Sequence, residues 1–283
     1  MSVARRMPIL RLVGSQQVQF HEHPERARTL RLVERLRREK VLRNPPIVAE
    51  LESDRYLLLD GANRVSAFHE LGYPQTPVQV IDYGDPAVQL KGWHHLLLEG
   101  HGLDLKGAYR RIPGVELSQV RTDQLTRLLE LRRAYAVLVD ATATCWGLFP
   151  ASGKTRCEVE EWIRVLEQMV TAYEGKAELE RIKMADYAQL PPVFDSMEHQ
   201  LCLFPTLTKI ELLELAHAGV LIPTGLTRHL VPGRALNMNL PLDFLVELHT
   251  DSERSEHFAG FVDRLEVEGR IRYYEEAVFI LNE

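Results

Sequence analysis

The stretch Tyr56–Tyr73, YLLLDGANRVSAFHELGY, constrains the fold more than any other part of the chain. Tyr56-Leu57-Leu58-Leu59 is a short apolar run of the length of a buried strand. Asp60-Gly61 is a turn signal. Asn63 is placed to cap a helix in which Val65, Ala67, Phe68 and Leu71 recur at helical spacing, and Gly72 ends it. A strand that turns straight into a helix aims backbone N–H groups at one spot. Such a spot attracts anions, and Arg64 adds a fixed charge there. On these residues alone the stretch reads either as a phosphate cradle with Asp60 at its lip or as an ordinary strand–turn–helix, a unit that many folds share.

The flanking sequence builds a compact α/β unit of short connections around it. Ile9–Phe20 reads as a strand, broken by His21-Glu22-His23-Pro24. Glu25–Lys40 reads as an amphipathic helix carried by Leu30, Val33 and Leu36. Ile47–Leu51 and Pro77–Tyr83 complete the strands, with a Ser53-Asp54 turn before Tyr56. Further on, Pro86–Leu98 reads as helical, and Gly100, Gly102 and Gly107 loosen the segment after it. Helices are expected over Thr122–Arg133, Glu158–Tyr173 and Thr208–Ala218, the last with a Thr208/Glu211 capping box. Tyr135–Asp140 and Cys145–Phe149 read as a strand and its hairpin mate. Asn237–Leu240 reads as a strand, Pro241–Leu248 as a helix start, Asp251–His257 as a polar region and Tyr273–Leu281 as a final strand.

Composition narrows the function classes. The net charge of −6 gives no electrostatic footprint for non-specific nucleic-acid binding. The Arg- and Lys-rich run Arg26–Lys40 is interleaved with Glu34 and Glu39, as a solvated helix face would be. Cys145, Cys157 and Cys202 form no CxxC pair, and their odd number argues against a disulfide framework, so a reducing cytoplasm is expected. No apolar run has the length of a membrane span, and no apolar stretch follows Arg5 and Arg6 as a signal peptide would require.

Several motifs invite chemistry. Gly153-Lys154-Thr155 suggests a P-loop, but five residues separate Gly147 from Gly153 where the loop needs four, and Pro150 lies among them. His21-Glu22-His23 suggests a metal cluster. On an extended strand His21 and His23 would converge while Glu22 faces away, and no third ligand is evident. Glu22 is otherwise a candidate base, a cap or a solvated carboxylate. Trp93-His94-His95 is either a core tryptophan beside exposed histidines or the wall of a pocket. Thr227-Arg228-His229 with Arg234 is a second anion-binding candidate, since Gly225 and Gly233 allow close backbone approach and arginine grips carboxylate or phosphate with two N–H groups.

Three pieces in order, FHEHPE from Phe20, LLLDGANRVSAFHELG from Leu57 and PTGLTRHLVPGRALNMNLPLDFL from Pro223, resemble one family. The strand–DG-x-x-R–helix unit is similar to the sulfiredoxin/ParB nucleotide-binding superfamily. The three together resemble the free L-serine kinases, which include the serine kinase and regulator of staphyloferrin B (siderophore) biosynthesis. The resemblance runs from about residue 8 to the end of the chain and is weakest over residues 100–205. It implies an α+β (mixed α/β) protein: a ParB/sulfiredoxin-like nucleotide-binding domain over residues 1–98, and a second α/β domain over 99–283 that closes the cleft and contributes substrate-binding residues.

The implied reaction transfers a phosphoryl group from ATP or ADP to the hydroxyl of L-serine, giving O-phospho-L-serine, with Mg²⁺ as cofactor. Glu22 and Asp60 are implied as catalytic, Glu22 as the base and Asp60 as the Mg²⁺ ligand. Gly61, Ala62, Asn63 and Arg64 would hold the phosphates, with Asn63 standing where the family has histidine. Trp93, His95, Thr227, Arg228, His229 and Arg234 would hold the substrate. The partners implied are L-serine and nucleotide, with no membrane; nucleic acid and a homodimer are left open. The competing function is a ParB-like nucleotide-binding DNA regulator, motivated by Arg26–Lys40. Sulfiredoxin-like chemistry is set aside because residues 60–64 hold no cysteine.

Overall fold

The structure, a computed structural model, describes residues 7–52, 54–98, 102–151, 158–184 and 199–273. It is mixed α+β and divides into two compact units. Among the described residues, one holds Met7–Phe20, then Pro24–Val88, and again Val231–Tyr273. The other holds His21–His23 and Gln89–Leu230. Described residues from early and from late in the sequence therefore share the first unit, a connectivity that a single boundary at 98/99 does not describe.

The first unit opens with β1 (Ile9–Gly14) and β2 (Val18–Gln19). The expected single strand over Ile9–Phe20 is interrupted. Gly14 N–H donates to Gln17 Oε1 and the Ser15 hydroxyl bonds the Tyr73 carbonyl and Thr76, so a 3₁₀ turn over Ser15–Gln17 splits it. The helix α1 (Arg26–Glu39) buries Val33 and Leu36 with Thr29, while Leu30 faces solvent, contrary to its expected core role. Next come β3 (Val41–Leu42), β4 (Ile47–Glu50), β5 (Tyr56–Asp60), α2 (Ala62–Glu70) and β6 (Gln75–Ile81).

Among the described residues, these strands form a five-stranded sheet in the order β1-β6-β4-β5-β2. The pairs β2/β5 and β4/β6 are parallel, and β1/β6 and β4/β5 antiparallel. Residues 56–59 of β5 are buried, as a strand covered on both faces requires. Val48, Leu58, Val65 and Val78 pack together against the sheet, so α2 is fixed to the strand it follows.

The second unit begins with β7 (Gln89–Gly92) and β8 (His94–Leu98). The helix expected over Pro86–Leu98 is absent. His94–Leu97 are buried and β8 sits between two neighbouring strands, and a continuous apolar run does not by its periodicity distinguish helix from buried strand. After it come α3 (Leu105–Arg110), capped by Asp104 through Gly107 N–H, and β9 (Val115–Val120). Within Thr122–Arg133 a 3₁₀ turn leads into a shorter α4 (Leu125–Glu130), which buries Leu125 and Leu129 but leaves Leu131 exposed.

The remaining elements are β10 (Ala136–Val139), β11 (Cys145–Pro150), α5 (Val159–Tyr173), β12 (Glu178–Ile182), β13 (Gln200–Leu203), α6 (Lys209–His217) and β14 (Thr227–Leu230). The Thr208/Glu211 capping box of α6 forms as expected. An antiparallel six-stranded sheet runs β12-β8-β13-β10-β11-β9 among the described residues, and β14 pairs β7 in a separate ribbon. Gly153-Lys154-Thr155 and Cys157 lie outside the described residues.

The chain then returns to the first unit with β15 (Leu240–Pro241), which pairs β3, and with α7 (Phe244–Glu247) and α8 (Asp251–Val267). The strand expected over Asn237–Leu240 is reduced to this bridge, since Asn237 and Asn239 adopt positive φ. The polar region Asp251–His257 is the first half of α8, opened by a Thr250/Glu253 capping box. Its amphipathic signal is weak because, of this helix, only Arg254 and Phe258 are buried. Phe258 joins Val33, Leu36, Phe68, Leu240 and Leu242 in one core, fastening the C-terminal segment to α1 and α2. The strand expected over Tyr273–Leu281 falls outside the described residues beyond Tyr273.

Candidate active site

In the second unit the site is built on Glu22. A parallel bridge holds it beside Ile222: Ile222 N–H donates to the His21 carbonyl at 2.8 Å and His23 N–H to the Ile222 carbonyl at 3.0 Å. Glu22 Oε1 accepts from Gly225 N–H at 2.6 Å. Oε2 accepts from the Thr227 hydroxyl at 2.6 Å and from Thr227 N–H at 3.3 Å. A carboxylate has about four acceptor sites. Among the described residues these bonds take one on Oε1 and two on Oε2, leaving an acceptor position on Oε1. Glu22 thus turns toward Thr227 along with His21, whose Nε2 lies 2.8 Å from the Thr227 hydroxyl. This overturns the expectation that His21 and His23 converge while Glu22 faces away. Among the described residues no group of three or more His, Cys, Asp or Glu could hold a metal ion.

Gly225 is fixed from both sides. Its N–H goes to Glu22, and its carbonyl accepts from His95 Nε2 at 2.9 Å. The other ring nitrogen of His95 accepts from the Tyr173 hydroxyl at 2.6 Å, which sets the tautomer. His95 is 1% exposed, and burial pushes its pKa down to about 4, so the ring is neutral. Its expected role as a substrate contact is corrected: it is a buried pin beneath Gly225. His94 is likewise buried, lowered to about 4 first by burial and then by His95, and accepts from Phe204 N–H at 3.1 Å. His229 is also buried, edge-on to His21 with ring centroids 5.5 Å apart.

Trp93 follows β7, and its N–H donates to the Leu226 carbonyl at 3.0 Å, so it sits where β14 begins. The Arg228 guanidinium lies 4.8 Å from its ring centre and Lys183 Nζ lies 5.6 Å away. Both are cation–π contacts, and together they leave a partly exposed indole edged by two positive charges. Arg181 and Lys183 escaped the sequence reading. They lie on and just after β12, where the register sets Arg181 opposite His95. A Cβ at Gly225 would stand 2.2 Å from Arg181 Nε, so the guanidinium covers this glycine. Only the charge pattern of residues 178–183 could have pointed there.

The first unit holds the other cluster. Gly61, at φ +102°, makes the turn from β5 and is the N-cap of α2, the place the sequence gives to Asn63. Asn63 instead turns its Oδ1 to α1, accepting from Glu25 N–H at 2.8 Å and the Thr29 hydroxyl at 3.3 Å. Arg64 N–H donates to the Gly61 carbonyl, so the first-turn donors of the cradle are those of Ala62 and Asn63. The Arg64 side chain folds back across Gly61, donating to the Asn44 and Pro45 carbonyls at 2.7 and 3.1 Å and to Asp60 Oδ2 at 2.9 Å. Arg234 donates to the same oxygen at 2.6 Å. The backbone on both sides of Arg234 is clamped by buried Gln79, which donates to the Gly233 carbonyl and accepts from Ala235 N–H.

Asp60 with two guanidiniums on one oxygen does not fit a resident Mg²⁺ site. The ion takes one or two carboxylates in near-octahedral geometry, and here the carboxylate is the pin of a cation pair. What this arrangement presents instead is fixed positive charge at a helix N-terminus, which suits a phosphate group.

Comparison with known proteins bears on which reaction such groups serve. No family model matches the chain. It is 24% identical to the ATP-dependent L-serine kinase SbnI of Staphylococcus aureus over 97% of both chains. It is 25% identical to the ATP-dependent L-serine kinase of Staphylothermus marinus, over 80% of this chain and 86% of that one. The chain is a relative of the free L-serine kinases. Its fold is also theirs: a C-terminally truncated SbnI superposes with a TM-score of 0.71 at 21% identity, covering 90% of this chain and 96% of that one. A free serine kinase in complex with AMP gives 0.68 at 18% identity, covering 87% and 97%. Among the described residues of the present relative, no helix is long and apolar enough to cross a membrane.

Proposed function

We propose that this chain is an ATP-dependent L-serine kinase that forms O-phospho-L-serine. The carrying observation is a near-full-length match to ATP-dependent L-serine kinases in a chain whose Glu22 carboxylate is held by Thr227 and Gly225 with an acceptor position to spare. Phosphoryl transfer is mainly positioning and charge neutralisation. The serine hydroxyl gives its proton to Glu22 as its oxygen forms a bond to the γ-phosphorus, and the bond from that phosphorus to the ADP oxygen breaks. Arg228 and Trp93 take the substrate's carboxylate end. The Ala62 and Asn63 N–H groups, with Arg64 and Arg234, hold the phosphates. The strand–Asp60-Gly61–helix unit is read as the nucleotide-binding part, of sulfiredoxin/ParB type. ATP is taken as the donor because the matched relatives are ATP-dependent. Mg²⁺ enters with the nucleotide, and no step is assigned to it.

The test is O-phosphoserine formation from L-serine with ATP and with ADP, in the wild type and in Glu22→Gln. A base of this kind is worth about 100-fold or more in rate, so the variant should lose that much in kcat. Folded wild-type protein that makes no O-phosphoserine with either donor would falsify the reading.

A further inference from the structure

The Thr227 hydroxyl carries one proton, and the carboxylate oxygen 2.6 Å away takes it. Toward His21, 2.8 Å on the other side, the same oxygen can therefore only accept, so His21 must carry its proton on Nε2. The result is a directed chain: His21 Nε2–H donates to Thr227 Oγ1, whose proton is donated to Glu22 Oε2. His21 is held by two independent means. Its carbonyl accepts from Ile222 N–H, and its ring packs edge-on against the buried ring of His229. It is itself 6% exposed and 3.9 Å from Glu22 Oε2, beyond hydrogen-bond reach, so it acts on the carboxylate through Thr227.

We propose that His21 is a positioning residue for Glu22. By fixing the direction of the Thr227 hydroxyl, it saturates Oε2 and leaves Oε1 as the oxygen that receives the substrate proton. This rests on the kinase reading for its catalytic consequence, but the hydrogen-bond chain exists whether or not serine is the substrate. Without the donor, the Thr227 hydroxyl loses the bond that sets its direction and its hold on Oε2 loosens, leaving the Gly225 and Thr227 N–H groups to position the carboxylate.

Two variants and one spectroscopic measurement test it. His21→Phe keeps a ring of similar shape without the donor. His21→Gln places an amide N–H near the position of Nε2. With L-serine and ATP, the Phe variant should lose about tenfold or more in kcat with KM for ATP unchanged, as expected for a lost charge-coupled hydrogen bond. The Gln variant should recover most of that loss. A Phe variant as active as wild type, or a Gln variant as slow as Phe at equal thermal stability, overturns the proposal.

Nitrogen-15 NMR of the histidine rings in wild type and in Thr227→Val separates this outcome from failure of the kinase reading, because it needs no turnover. His21 protonated on Nε2, with that proton's signal shifted or lost in Thr227→Val, supports the chain even if no phosphoserine forms. Protonation on Nδ1 alone, or a signal indifferent to Thr227, overturns it.

Discussion

Gly225 donates its backbone N–H to Glu22 Oε1 over 2.6 Å, while its own carbonyl is held by His95 from behind. The position admits no side chain. Its φ is +77°, and a Cβ would meet the Arg181 guanidinium at 2.2 Å. Gly225→Ala should therefore cost of order 1–3 kcal/mol of stability from the left-handed backbone alone. It should also lower kcat, because displacing Arg181 or Gly225 releases Glu22. Thermal unfolding alongside steady-state kinetics checks both. An alanine variant with unchanged melting temperature and kcat would show that neither contact matters.

Arg64 and Arg234 share one oxygen of Asp60 but differ in what else they hold. Arg64 also ties down the Asn44 and Pro45 carbonyls and is 21% exposed, whereas Arg234 is 38% exposed. Arg64→Met should thus lower stability by about 1 kcal/mol, since it removes two part-buried hydrogen bonds to the backbone of residues 44 and 45. Arg234→Met should stay within about 0.5 kcal/mol of wild type, as surface substitutions do. Both should weaken ATP binding about tenfold or more if the two guanidiniums meet phosphate. Denaturant unfolding and calorimetric titration with ATP separate the two effects. Unchanged ATP affinity in both variants would remove them from the nucleotide site.

Asn63 stands where the family resemblance expects histidine, and the structure gives it a task that its neighbours explain. Its side-chain oxygen receives Glu25 N–H at the start of α1, so one helix is capped from another. Asn63→Ala should cost about 1 kcal/mol, as loss of a capping acceptor does, and Asn63→Asp should cost less because the acceptor is kept. Asn63→His replaces that oxygen by a longer ring. Any gain in ATP affinity should then appear together with a lower melting temperature. A histidine variant with wild-type stability would mean that α1 does not depend on this oxygen.

The strand–turn–helix around Asp60-Gly61 was legible because its apolar run, turn signal and helical spacing are all local. So were the Thr208/Glu211 capping box and α5. The misreadings share a cause. His94–Leu98 looks helical until two neighbouring strands hydrogen-bond to both its edges, and Asp251–Val267 looks polar because little of the helix is buried. At the site, Glu22, Thr227 and Arg228 were named from the residues and from the resemblance. The residues that support them were not, because Arg181 and the His95 pin act on Gly225 through contacts between segments far apart in the chain, as Gln79 does on the backbone around Arg234. His95 was assigned to substrate for the same reason: nothing in Trp93-His94-His95 tells that both imidazoles are buried.

Two of the buried imidazoles, His94 and His95, shape the pH response. His94 and His95 titrate at about 4 in the folded protein, against an ordinary value near 6.5 when unfolded. Between these values the unfolded chain binds protons that the folded one does not, so stability is fully present above about pH 6.5 and falls as pH drops toward 4. The slope is about 1.4 kcal/mol per pH unit for each histidine that behaves independently. Glu211 is held down to about 2 despite its burial, by its hydrogen bonds to Arg132 and Thr208, so its contribution is lost only as pH falls from about 4.5 toward 2, below the histidine window. Denaturant melts at pH 7, 6 and 5 should therefore show declining stability. His94→Asn and His95→Asn should each be less stable at pH 7 yet show a shallower decline. A stability flat from pH 7 to pH 5 would mean that these rings are not buried as neutral groups.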